Sequence, residues 1–247
     1  MVWTPAFAGV QGGMKALVTG TSRGIGAAIA TAFSTSGHMV LGHATTPGEG
    51  RIAADLDEPG AAQRLWAEAL DIFDSHVDVL INNAGLFEDN PLDAGHDAWL
   101  AGWERTQRIN LTSAAELCRL AVLHFQQRGG GGRIVNVASR AAHRGDSPHH
   151  WHYAAAKAGM VAMTKTIARA YAAEGILAFA VSPGFVQTGM AEEYLASRGG
   201  EAILRDIPLG RVATAEEVAE TVRWLATDAP ASLTGATLDV NGASYVR

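Results

Sequence analysis

The sequence predicts an α/β protein, a single doubly wound domain around a mainly parallel sheet. Three observations predict it. Short apolar runs alternate with stretches of helical periodicity along the whole chain, the first run empties into a glycine-rich turn, and no linker or internal repeat interrupts the alternation. A chain of 247 residues, 48% hydrophobic and 18% charged, has the material for one sizeable core. Residues 1–13 carry no charge, include Pro5 and lack the basic segment that opens a signal peptide, so they read as a disordered extension to an ordered domain spanning 14–247.

Residues 15–19 form the first apolar run, the pattern of a buried parallel strand. Gly20, Gly24 and Gly26 follow, then helical character over 27–33. Strand, glycine turn and helix in that order are the setting of a Rossmann-type dinucleotide site. The glycines let backbone approach a pyrophosphate, and the helix N-terminus faces its charge. A second strand spans 39–41. An NAD site ordinarily places an acid after this strand for the adenosine 2′-hydroxyl. No acid lies between Gly37 and Glu49; Arg23 in the glycine turn and the hydroxyls of Thr45 and Thr46 favour a 2′-phosphate, hence NADP(H), with NAD(H) as the alternative.

A third strand over 52–54 ends at Asp55 and Leu56, a helix covers 61–73, and a fourth strand over 77–81 runs into Asn82, Asn83, Ala84 and Gly85. Helices are predicted over 97–107 and 111–127. The glycines at 129–132 precede the strand at 134–137 and therefore stand at the end of the sheet away from any ligand, as a plain turn. That strand delivers Ser139. Residues 140–152 read as a polar loop whose His143, His149, His150 and His152 line or cap a pocket; with no cysteine to join them, no metal site is predicted. A largely apolar helix over 152–171, a strand over 177–181, a lid over 189–206, a helix begun by the capping pair Thr214 and Glu217, and a last strand over 237–240 complete the chain.

Within the helix at 152–171, Tyr153 and Lys157 leave the same face one turn apart. An ammonium about 5 Å from a phenol, at an effective dielectric near 20, favours the phenolate by roughly 3 kcal/mol, or about 2 pK units. That brings a tyrosine toward useful acid-base chemistry. The net charge of −6 supplies no basic footprint for nucleic acid, and no apolar run approaches the roughly 20 residues that span a bilayer. Cys118 is the only cysteine, which suits a reducing, cytoplasmic setting.

Taken together, the glycine turn after Thr19, Asp55 with Leu56, the run from Asn82 to Gly85, Asn110, Ser139, the Tyr153/Lys157 pair, and Pro183, Gly184 and Thr188 resemble the short-chain dehydrogenase/reductase family from residue 14 onward. Within it, the glycine turn and residues 42–46 look most like 3-oxoacyl-carrier-protein reductases, whereas Arg144, Asp146 and Trp151 depart from them in the loop that lines the substrate pocket. The resemblance implies hydride transfer to or from a small-molecule carbonyl or alcohol. Tyr153 would be the proton donor and acceptor, Lys157 its activator and ribose holder, Ser139 the group that orients substrate oxygen, and Asn110 the holder of a water behind Lys157. For the cofactor it implies Gly20, Ser22, Arg23, Gly24, Ile25, Gly26 and Thr45 at one end, with Asp55, Leu56, Asn83, Ala84 and Gly85 along the adenosine. Tyr153, Lys157, Pro183, Gly184, Val186 and Thr188 would surround the nicotinamide. It also implies a homotetramer. A dinucleotide sensor without catalysis has no need of Ser139, Tyr153 and Lys157 together; an epimerase or dehydratase of the same fold would retain its nucleotide.

Overall fold

The strands are β1 (Lys15–Val18), β2 (Met39–Ala44), β3 (Arg51–Ala53), β4 (Val79–Asn82), β5 (Gly132–Val137), β6 (Ile176–Pro183), β7 (Val186–Gln187), β8 (Ala213–Thr214) and β9 (Thr237–Val240). Seven of them form one parallel sheet in the order β3-β2-β1-β4-β5-β6-β9, and β7 and β8 pair separately. This is a computed structural model, and it describes residues 12–187 and 200–247. Nearly all of the predicted extension, most of the predicted lid and Thr188 lie outside the described residues.

The helices are α1 (Gly24–Thr35), α2 (Ala61–Ile72), α3 (His96–Gln107), α4 (Ser113–Gln127), α5 (Ala141–Arg144), α6 (Trp151–Tyr171), α7 (Gly200–Arg205) and α8 (Ala215–Thr227). The strand pleat sorts the core into two layers, because successive side chains point to opposite faces. On one face Leu17, Leu41, Leu80 and Ile134 meet Leu65, Leu117, Phe125 and Ile167 from α2, α4 and α6. On the other, Ala16, Val18, Ile81 and Val135 meet Ile29 and Phe33 of α1 and Val218, Val222 and Leu225 of α8. Each such Val, Leu, Ile or Phe side chain contributes about 1.5–3 kcal/mol by leaving water.

The α8 capping box forms as its sequence predicts: Thr214 Oγ1 accepts from Glu217 N at 3.2 Å, and Glu217 Oε2 accepts from Thr214 N at 2.8 Å. The predicted helix at 111–127 starts later, at Ser113, because residues Arg108–Thr112 form a π-helical turn that joins α3 to α4 without a break. That wider turn holds Asn110 fully buried. The polar loop predicted at 140–152 contains the short helix α5. The glycines at 129–132 do form a turn at the amino end of β5, where α4 crowds the backbone: a Cβ on Gly132 would lie 2.5 Å from the Phe125 ring.

One connection is unusually short. Parallel neighbours ordinarily need a crossover of a dozen or more residues, most often a helix. Here β2 and β3 pair in parallel, Gly42 with Arg51 and Ala44 with Ala53, across only the six residues 45–50.

Candidate active site

The carboxyl ends of β1, β4, β5 and β6 lie along one edge of the sheet, where the glycine turn, Asn83–Gly85 and Ser139 follow β1, β4 and β5. At β1, Gly20 takes φ +73°, and a Cβ on it would stand 2.8 Å from Ala84 Cα. A Cβ on Gly26 would strike Gly20 O and approach Asn83 Nδ2 to 2.5 Å. Only glycine lets α1 start this close to the β1 and β4 ends. Thr19 Oγ1 accepts from Asn83 N at 3.0 Å and Ala84 N at 2.9 Å, while Asn83 Nδ2 donates to Thr19 O at 2.9 Å and Gly20 O at 3.1 Å. Arg23 stands at the N-cap of α1 without a capping side-chain bond, and no acid occupies the first turn. The opening amides of α1 are therefore left for an anion, which is the fit a pyrophosphate requires.

At β5 and α6, Ser139 Oγ accepts from Ala141 N at 3.1 Å and hydrogen-bonds the Tyr153 phenol. Lys157 is buried; its Nζ donates to Val137 O at 2.8 Å and lies 5.8 Å from the Tyr153 ring centroid. Two turns further along the same helix face, Thr164 Oγ1 accepts from Asn136 Nδ2 at 2.8 Å, and Asn82 Nδ2 donates to Asn136 Oδ1 at 2.8 Å. Polar bonds at two heights thus pin α6 to β5 and set the azimuth of Tyr153. In the π turn, Asn110 Oδ1 accepts from Leu86 N and its Nδ2 donates to Leu86 O, both at 2.8 Å. A Cβ on Gly85 would sit 3.3 Å from Asn110 Oδ1 and 3.5 Å from Lys157 Nζ, so Gly85 backbone lies between the two.

The electrostatics differ from the sequence expectation. Burial pushes the Tyr153 phenol up to about 12, Asp146 adds to the rise, and the bond from Ser139 opposes it. Burial likewise pushes the Lys157 ammonium down to about 8. Desolvation disfavours the charged form of each group, and it sets the direction of both shifts. The phenol is protonated at neutral pH, the state from which a proton can be given.

The remaining predicted residues divide. Ser22, Arg23, Thr45, Asp55 and Gly85 are exposed, Gly24, Ile25, Ala84 and Gly184 are half-buried, and Pro183 and Val186 are buried at the β6 end and in β7. Leu56 is packed into the core beside Leu17 and Ile52, and the Asn83 side chain is turned inward to the glycine loop. These two therefore have only backbone to offer a nucleotide. Asn110, expected to hold a water, has its amide bonded on both sides to Leu86 and so serves first as a clamp.

Two site residues escaped the sequence reading. His43, buried in β2, accepts from Gly20 N at Nδ1 (3.2 Å) and meets Ala54 O from Nε2 at 2.9 Å, tying the glycine loop to the end of β3. Burial holds its pKa down, consistent with a neutral ring. Phe87 stands edge-on to Tyr153 with centroids 4.8 Å apart and stacks on His150 at 3.8 Å. No periodicity signals either one. Of the predicted loop histidines, His150 backs Phe87 and pairs with Asp89 at 3.3 Å, His143 reaches Ser182 Oγ at 3.3 Å, His152 is buried and His149 is exposed. Among the described residues no cluster of His, Cys, Asp or Glu could hold a metal ion, and no helix is long and apolar enough to cross a membrane.

Residues 20–243 match the family model described as enoyl-(acyl carrier protein) reductase. The chain is 37% identical to the 3-oxoacyl-(acyl-carrier-protein) reductase of Haemophilus influenzae, over 95% of this chain and 99% of that protein. It is 38% identical to the Pseudomonas aeruginosa enzyme of the same name, over 95% and 98% of the two chains. With its Synechocystis counterpart the identity is 39%, over 92% and 95%.

Proposed function

Because this chain belongs to the short-chain dehydrogenase/reductase family, we propose that it transfers a hydride between NADP(H) and a carbonyl or alcohol carbon, with Tyr153 as the acid/base. The single observation that supports this most is the convergence of Ser139, Tyr153 and Lys157 at the β5 end, on the same sheet edge as the uncapped N-terminus of α1. When bound, the nicotinamide supplies the hydride.

Ser139 orients the substrate oxygen toward the phenol, and Tyr153 gives that oxygen its proton as the carbonyl is reduced. In the reverse direction Tyr153 takes the proton from the alcohol. Lys157 stabilises the phenolate left behind and holds ribose hydroxyls. Asn110 keeps the Leu86 loop and Gly85 in register with Lys157, and the N–H and lone pair its amide has left would hold a water that links Lys157 to solvent protons. Gly20 to Gly26 and the first α1 amides hold the pyrophosphate; Arg23 and Thr45 meet the 2′-phosphate; Asp55, Ala84 and the backbone of Leu56, Asn83 and Gly85 border the adenosine; Pro183, Gly184, Val186 and Thr188 border the nicotinamide.

Phe87 gives the pocket an apolar wall next to the phenol, which suits an acyl chain or another apolar body attached to the carbonyl. The relatives named as 3-oxoacyl-(acyl-carrier-protein) reductases point to a 3-oxoacyl thioester as the first compound to try. The reading includes a homotetramer built on α4 and α6, whose outer faces carry Leu123 and small residues such as Ala155 and Ala162. Assaying a 3-oxoacyl thioester and a panel of ketones with NADPH and with NADH tests it. Consumption of NADPH matched to alcohol formed, with kcat/KM about tenfold or more above that for NADH, is the expected result. A clear NADH preference would remove the role given to Arg23.

A further inference from the structure

The short β2–β3 connection leaves no helix at the carboxyl end of β2. A crossover helix at the carboxyl end of β2 would offer amides and a positive dipole end to an anion. Here the six residues 45–50 fold tightly instead: Gly42 N donates to Gly50 O at 2.8 Å and Arg51 N donates to Gly48 O at 3.2 Å. Arg51 occupies the space that this folding leaves. Its Cγ lies 2.9 Å from where a Gly42 Cβ would be, and Thr21 Oγ1 of the glycine loop crowds the same point. Its guanidinium lies against Gly48, where a Cβ would come within 2.5 Å of Nε and Cζ. Among the described residues Arg51 has no ion pair, and its Nε is buried without a hydrogen-bond partner.

In a doubly wound sheet the β1 turn takes the pyrophosphate and the end of β2 takes the adenosine ribose. Arg51, next to Gly42 on the neighbouring strand, is a cation without an acid beside that ribose position. A guanidinium is a planar fork of donors that suits phosphate oxygens better than a point charge does. We propose that Arg51 is a specificity-determining residue that reads the 2′-phosphate of NADP(H) together with Arg23, in place of the absent helix. This rests on the NADP(H) reading above.

Calorimetric titration of the full chain with adenosine 2′,5′-bisphosphate and with 5′-AMP tests it without turnover. The native protein should prefer the bisphosphate. Arg51→Gln should weaken the bisphosphate about tenfold and 5′-AMP by less than about twofold, and Arg51→Lys should recover part of the loss. Equal loss for both nucleotides, or no loss for either, overturns the proposal; Arg51→Lys decides the matter if Arg51→Gln melts early. A native protein with no preference for the 2′-phosphate overturns the NADP(H) reading itself, which is a different failure.

Discussion

The nicotinamide side and the adenosine side of this site are built by opposite means. Around Tyr153 the groups are fixed from beneath: Lys157 on Val137, Thr164 on Asn136, Asn110 on Leu86, nearly all of them buried. At the end of β2, Arg23, Thr45 and Thr46 are exposed, and the connection to β3 is only six residues long. The difference teaches that the groups around Tyr153 are held by the core, whereas the residues proposed to choose the cofactor stand mostly at the surface, where a charge can change with little repacking. Buried polar bonds tolerate no partial replacement, because each orphaned group costs about 1–3 kcal/mol.

Replacing Lys157 by Met is the most severe way to probe the first side. Turnover should fall by about 10³-fold, since the phenolate loses its stabilising charge. Stability should move the other way. Lys157 is charged at pH 7 in both states and held down to about 8 only when folded, so its burial weakens the native state there. That amounts to about 3 kcal/mol, offset by about 1–2 kcal/mol for the bond to Val137 O. Between pH 8 and the unfolded value of 10.5 the unfolded chain binds more protons, so native stability rises with pH across that window. Denaturant melts should find Lys157→Met more stable by about 1–2 kcal/mol at pH 7, with the gain shrinking from pH 8 upward. A variant less stable at pH 7 with a pH-independent difference would break the contrast.

A gentler probe addresses the other side. Arg23→Ala should raise KM for NADPH about tenfold, leave KM for NADH nearly unchanged, and shift stability by no more than about 0.5 kcal/mol. A large stability loss would mean that the adenosine side is also fixed by the core.

The same contrast explains what could be read from the sequence. Strands such as Lys15–Val18 and Ile176–Pro183, the glycine turn, the capping box at Thr214 and the Tyr153/Lys157 pair depend on local pattern, and all are legible. The π turn at Asn110 is not, because it preserves helical periodicity on both sides. Neither are the inward turn of Asn83, the burial of Leu56 or the role of His43, which depend on contacts made across strands. The direction of the phenol's pKa shift is illegible for the same reason: helix spacing reveals the ammonium, but only the packed structure reveals how much water both groups lose.

The most direct test of the account is Tyr153→Phe, measured as two quantities on one sample: steady-state turnover with NADPH and a substrate the native protein reduces, and NADPH affinity by direct titration. The account predicts turnover lower by about 10³-fold or more with affinity within about twofold of native. Near-native turnover by the Phe variant would contradict it.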